Sequence, residues 1–170
     1  MQEEDKERLL EAVVAGDRSR CLEFCTLLRE TPSTVSWLAT EVGETRVSQA
    51  LRVCVSVCPG SASCAVEQLV DFAPRAATQL RHFGFVADLP HLACPSDTLA
   101  CATALVRADG VNAAALTTNG YVRRLGQLVD QLAVSDVQLA ARFLAIVVDE
   151  WPEAESALSE STRRTVCGTT

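Results

Sequence analysis

Set against itself at offsets of 36 and 42 residues, the chain brings one short pattern into register four times. Pro32-Ser-Thr-Val35-Ser-Trp-Leu38, Pro74-Arg-Ala-Ala77-Thr-Gln-Leu80, Gly110-Val-Asn-Ala113-Ala-Ala-Leu116 and Pro152-Glu-Ala-Glu155-Ser-Ala-Leu158 align without a gap. A helix breaker opens each copy and a leucine closes it six positions later. The second and third copies agree further, because Gly84 and Val86 fall on Gly120 and Val122. A period near 40 residues in a chain of helix formers narrows the fold to a stack of helical units, each buried against its neighbours. The expectation is an all-α solenoid of about four short repeats, forming one domain over residues 1–170.

Composition supports the class. Of 170 residues 48% are hydrophobic, enough for one buried core, while aromatics reach only 5%. Alanine, valine and leucine suit close-packed helices better than a sandwich. The net charge is −7, Lys6 is the single lysine, and no cluster of positive charge stands out, which argues against a nucleic-acid partner. Acidic residues gather at the two ends, as Glu3, Glu4, Asp5, Glu7 and Glu11 and as Asp149, Glu150, Glu153 and Glu155. They are read as solvated faces. No run approaches the roughly 20 apolar residues that span a bilayer, and the acidic start is unlike a secretory signal. An intracellular, cytoplasmic location is expected.

The eight cysteines are even in number, yet their placement speaks for packing. Cys21 and Cys25 share a helical stripe with Phe24 and Leu28, and Cys54 and Cys58 continue the stripe of Val47 and Leu51. Free cysteines are among the most buried residue types, so reduced core thiols are expected. Two i, i+4 pairs on facing helices could also form a four-thiolate zinc site. That makes Cys21, Cys25, Cys54 and Cys58 the weak metal candidates, but the usual two-residue spacing is absent and no cofactor is expected.

Helical periodicity predicts helices over 5–15, 18–31, 44–58, 62–73, 75–83, 96–108, 120–133, 135–150 and 153–165. Gly16 stops the first, Asp17 caps the second, and the Thr31-Pro32 step ends it. Trp37 falls in a short connector. A helix over 84–93 carries Pro90 where an interior hydrogen bond is wanted, so it is expected to be short or kinked. In 120–133, Tyr121, Val122, Leu125, Leu128, Val129 and Leu132 face inward. In 135–150, capped by Ser135-Asp136, Leu139, Phe143, Leu144, Ile146 and Val147 leave little polar face, which predicts a central helix. Gly168-Thr169-Thr170 is expected to fray.

Residues 117–158, TTNGYVRRLGQLVDQLAVSDVQLAARFLAIVVDEWPEAESAL, resemble an armadillo-type repeat: a loop ending in glycine, an apolar helix, a short capped helix, a long buried helix, then proline. Residues 82–116 look like a shorter copy, and HEAT-type repeats are the close rival. The resemblance implies a right-handed superhelix whose third helix per repeat lines a concave groove. Carried over, the groove positions are Arg46, Gln49 and Arg52 in the first repeat, Asp88 and His91 in another, and Arg123, Arg124, Gln127 and Gln131 in the last. The Trp-x-x-x-Asn ladder of armadillo proteins that bind nuclear-import signals is missing, since Trp37 and Trp151 lie outside those helices.

Catalytic patterns are absent: no phosphate-binding glycine loop, no His-Glu-x-x-His and no Cys-x-x-Cys. His82 and His91 are the only histidines, and a Cys94–His91 pair would rest on three-residue spacing alone. The reading is therefore a non-enzymatic interaction module, an adaptor or a subunit of a larger assembly, that binds a protein partner through its groove. The alternatives are a co-chaperone-type regulator gripping a chaperone and a helical enzyme without a recognisable motif.

Overall fold

A computed structural model describes residues 1–167; Gly168–Thr170 lie outside the described residues. Among the described residues all regular structure is helical. The helices are α1 (Glu3–Val14), α2 (Arg18–Glu30), α3 (Pro32–Thr40), α4 (Glu44–Val57), α5 (Pro59–Phe72) and α6 (Arg75–His82). They continue as α7 (Phe85–Leu92), α8 (Leu99–Ala108), α9 (Val111–Thr118), α10 (Tyr121–Leu128), α11 (Val134–Glu150) and α12 (Glu160–Cys167). Short 3-10 turns occupy Pro95–Thr98, Val129–Gln131 and Pro152–Ala157.

The four copies of the sequence pattern are one structural element used four times: α3, α6, α9 and the Pro152–Ala157 turn. Periodicity left the first of these as a connector and assigned no helix to residues 111–118. Both are helical because tertiary burial, more than local propensity, stabilises so short a segment. The third position of every copy (Thr34, Ala76, Asn112, Ala154) is buried, and so is the closing leucine (Leu38, Leu80, Leu116, Leu158). Positions four apart share a helix face, so each copy presents the same small-then-large stripe to the core.

Several elements also pack on their counterparts in the sequence pattern. α2 meets α5, α5 meets α8 and α8 meets α11. α1 meets α4 and α4 meets α7, while α6 meets α9 and α9 meets the Pro152–Ala157 turn. Fully buried side chains such as Phe24, Leu51, Leu69, Phe85, Leu105, Tyr121 and Phe143 fill the space between these rows. Each contributes about 1.5–3 kcal/mol by leaving water. Tyr121 and Phe143 meet edge to face at 5.8 Å, and the Tyr121 hydroxyl donates to the Pro95 carbonyl at 2.8 Å.

Pro90 shows how one unit completes another. Its missing N–H leaves the Val86 carbonyl of α7 without its i+4 donor. The side chain of Asn119, from the loop after α9, takes that place, with Nδ2 donating to the Val86 oxygen at 2.8 Å. Its Oδ1 accepts from the Tyr121 backbone N–H at 3.0 Å, which caps the start of α10. The expected problem helix is thus short but intact.

Two expectations at the far end change. The 120–133 helix stops at Leu128 and continues as a 3-10 turn. α11, expected to be central, begins at Val134 after Ala133 without a side-chain cap. It packs on α8, α9, α12 and the 152–157 turn, which leaves one side open, and Leu139 is 52% exposed there.

Candidate binding groove

Helices α5, α8 and α11 stand side by side and line one groove together. Glu67, Val70 and Asp71 of α5 border it, with Pro74 just beyond that helix; α8 contributes Leu99, Ala100, Thr103, Ala104, Arg107 and Ala108, and α11 contributes Leu139, Arg142, Phe143 and Ile146. Within α8 and α11 these positions recur at helical spacing, and Val70, Ala104 and Phe143 among them are buried. A groove of about 710 Å³ opens over them. Its cause is a size difference. α8 contributes alanines and Thr103, whose hydroxyl turns back to the Leu99 carbonyl at 2.7 Å, so the middle of the surface is low. Leu139 and Ile146 raise an apolar wall along α11 above the buried Phe143.

The walls differ in charge. α5 offers Glu67 and Asp71, whereas α8 and α11 offer Arg107 and Arg142. Among the described residues none of the four enters a salt bridge. The groove therefore combines apolar surface with charges that are open to solvent.

The residues expected to line a groove lie elsewhere. Counting from the breaker-opened element, α4, α7 and α10 are second in their units, and α5, α8 and α11 are third. Arg46, Gln49 and Arg52 stand on α4, Asp88 and His91 on α7, and Arg123, Arg124 and Gln127 on α10, with Gln131 in the turn after it. The structure brings several of them together as ties between units. Arg46 pairs with Glu7 of α1 at 2.6 Å. Arg52 reaches Asp88 at 2.7 Å and donates to the Phe83 carbonyl at 3.3 Å. Arg124 donates to the Pro90 carbonyl of α7. Gln49, His91, Arg123, Gln127 and Gln131 are exposed.

A similar tie joins α6 to α9. Asp109 accepts from Thr78 Oγ1 at 2.6 Å and from Arg81 Nη1 at 2.7 Å. Its partial burial acts to raise the carboxyl, but these hydrogen bonds outweigh it and hold the group below its ordinary value. Beside it the buried Asn112 accepts from Arg81 and donates to the Ala77 and Leu105 carbonyls, so its amide is satisfied.

The four metal candidates do come together between α2 and α4. Cys21, Cys25 and Cys54 are fully buried, and Cys58, at the end of α4, is partly exposed. Cys54 Sγ donates to the Cys21 carbonyl at 3.9 Å. A hydrogen bond with Cys25, then burial, pushes the Cys54 thiol up, and burial takes Cys58 up to about 12. The bond from Cys54 draws Cys25 the other way. Thiols raised in this way stay protonated at neutral pH and are poor nucleophiles and ligands. Among the described residues no group of three or more His, Cys, Asp or Glu side chains is disposed to hold a metal ion. Cys94, once paired in principle with His91, instead has its sulfur 3.2 Å from the Ser96 hydroxyl.

Sequence reasoning did not single out Glu67, Asp71, Arg107 or Arg142, and it read Leu139 only as part of an apolar helix. The signal that could have found the groove was the surplus of apolar residues in 135–150. Among the described residues no helix is long and apolar enough to cross a membrane. Compared with known proteins, the chain matches no family model, no curated sequence and no solved structure.

Proposed function

We propose that the chain is an armadillo-type, right-handed helical array that works as a non-enzymatic protein-binding module, with its partner seated on α5, α8 and α11. The observation that carries this reading is the groove that α5, α8 and α11 line together. Stacked repeats build extended surfaces because successive units present equivalent positions side by side. Here the groove combines an apolar wall with charges that no neighbour neutralises. The arrangement supports an adaptor or a subunit of a larger assembly better than catalysis. An acid–base or nucleophilic reaction needs titratable groups that converge on one point, while His82 and His91 both face solvent and the Cys54 and Cys58 thiols are held neutral.

Affinity capture from native extract with Leu139→Asp beside the wild type tests the reading. One stoichiometric partner, recovered by the wild type and lost with Leu139→Asp, is the expected result. Loss with Arg123→Glu plus Arg124→Glu but not with Leu139→Asp would move the partner to the α10 face. Absence of any partner would overturn the module reading and favour the helical enzyme.

A further inference from the structure

The groove's own chemistry restricts what can occupy it. Its lining extends over about 10 Å of axis along α8 and α11, and its floor is the alanine-rich face of α8. No buried side-chain donor or acceptor without a partner lines it: among the described residues the buried atoms lacking one are Thr34 Oγ1 and Arg52 Nε, and both lie outside the groove. Small-ligand sites fix orientation with a few polar groups set inside the pocket. Here the polar groups stand on the walls instead, with the apolar surface between them, as in helix-in-groove recognition.

The charges add direction. Two arginines stand on this face of a chain of net charge −7. Seven of the fourteen arginines reach a carboxylate or a carbonyl of their own chain (Arg20, Arg46, Arg52, Arg81, Arg124, Arg163 and Arg164), and Arg107 and Arg142 are among the seven that make no such bond among the described residues. Arginine's planar fork binds a carboxylate through two parallel hydrogen bonds. Across the groove, Glu67 and Asp71 would repel a second row of carboxylates.

Resting on the binding-module reading, we propose that the occupant is an amphipathic helix of a partner protein carrying an apolar stripe flanked on one side by Asp or Glu. The apolar stripe lies on Leu139 and Ile146, and the carboxylates meet Arg107 and Arg142. The acidic wall of α5 excludes the reversed placement, so one orientation is selected.

A displayed library of random helical peptides of about 15 residues, long enough to hold a helix when docked, tests this on the full chain. Selection on the wild type is expected to enrich apolar residues at i, i+3 or i+4 and i+7 with Asp or Glu along one edge. A synthetic peptide from that pool, followed by fluorescence anisotropy, is expected to bind about tenfold or more weakly to Arg107→Glu plus Arg142→Glu, since opposed charges now repel. Leu139→Asp should remove binding as well. All three altered side chains are exposed, and circular dichroism verifies that each variant keeps its helical content. Selected peptides that depend on Leu139 but lack the acidic edge, or ignore the arginine reversal, would overturn the charge assignment and leave the groove in place. If no peptide is enriched, or none is sensitive to Leu139→Asp, both the inference and the binding-module reading fail.

Discussion

In the row α1, α4, α7 and α10, arginines of α4 and α10 reach a neighbouring helix; in the row α5, α8 and α11, those of α8 and α11 do not, among the described residues. In the first row Arg46, Arg52 and Arg124 each end on a group of a neighbouring helix. In the second Arg107 and Arg142 end in solvent beside exposed apolar surface. Both rows look alike as sequence, since each offers arginines on the polar side of an amphipathic helix. The difference teaches that in packed helices a surface charge can meet two fates. It can tie one helix to another, or it can stay open to solvent, and only the position of the neighbouring helix separates the two.

The largest expected effect comes where the groove wall is also core. Phe143 is 1% exposed and stacks against Tyr121, so Phe143→Ala should cost about 3–5 kcal/mol in chemical denaturation. A cost below about 1 kcal/mol would show that α11 is not packed as described. Next comes the tie at Asn119. With Asn119→Ala the Val86 carbonyl loses its donor, and a loss of about 1–3 kcal/mol is expected. Restoring the missing i+4 bond by Pro90→Ala in that background should recover part of it, and failure to recover would break the account of α7.

Gly84 and Gly120 sharpen the comparison further, because both open a helix of the tied row with positive φ, +82° and +90°. Alanine at either costs about 1–2 kcal/mol in backbone strain alone. At Gly84 a new Cβ would also stand 2.5 Å from Arg52 Nη2, whereas at Gly120 it meets open space. Gly84→Ala should therefore lower the melting temperature more than Gly120→Ala, and Arg52→Ala should narrow the gap. Equal effects would separate Arg52 from the α4–α7 tie.

Acid probes the α6–α9 tie. Asp109 titrates below its ordinary value of 3.8 in the fold, so the folded chain keeps the charge after the unfolded chain has been protonated. The stability it contributes is complete above that ordinary value and is lost as pH falls through the lower folded one. Asp109→Asn should flatten this part of the acid-unfolding profile, and an unchanged slope would count against the tie. The smallest effect belongs to the open row. Arg107→Ala with Arg142→Ala should shift stability by no more than about 0.5 kcal/mol, because neither side chain is bonded within the chain. A loss comparable to that of Asn119→Ala would mean that the open row is tied after all.

Much of the array was legible before any coordinates. The breaker and the closing leucine of each copy mark the same element four times, because a buried i, i+4 stripe needs the same residue types wherever it recurs. The helical boundaries at Gly16, Thr31 and Pro59 follow from local backbone chemistry, and so does the Asp17 cap, which accepts from the Ser19 N–H at 3.0 Å. α3 and α9 were harder to read, since a helix of nine or eight residues is decided by what covers it. Cys58 was expected to be as buried as its neighbours, yet its place at the end of α4 leaves it partly exposed.

By itself, then, the sequence determined the helical class, the repeat and the inward stripes, because these depend on spacing along one helix. Which outward stripe becomes a groove was decided by tertiary structure alone. Arg52 and Arg142 have the same chemistry, and nothing within their own helices distinguishes them. Arg52 ties because Asp88 and the Phe83 carbonyl, 36 and 31 residues away, arrive beside it. Arg142 remains open because α8 brings alanines and Thr103 to the same level. Side-chain periodicity is a property of one helix, whereas a groove is a difference in height between three.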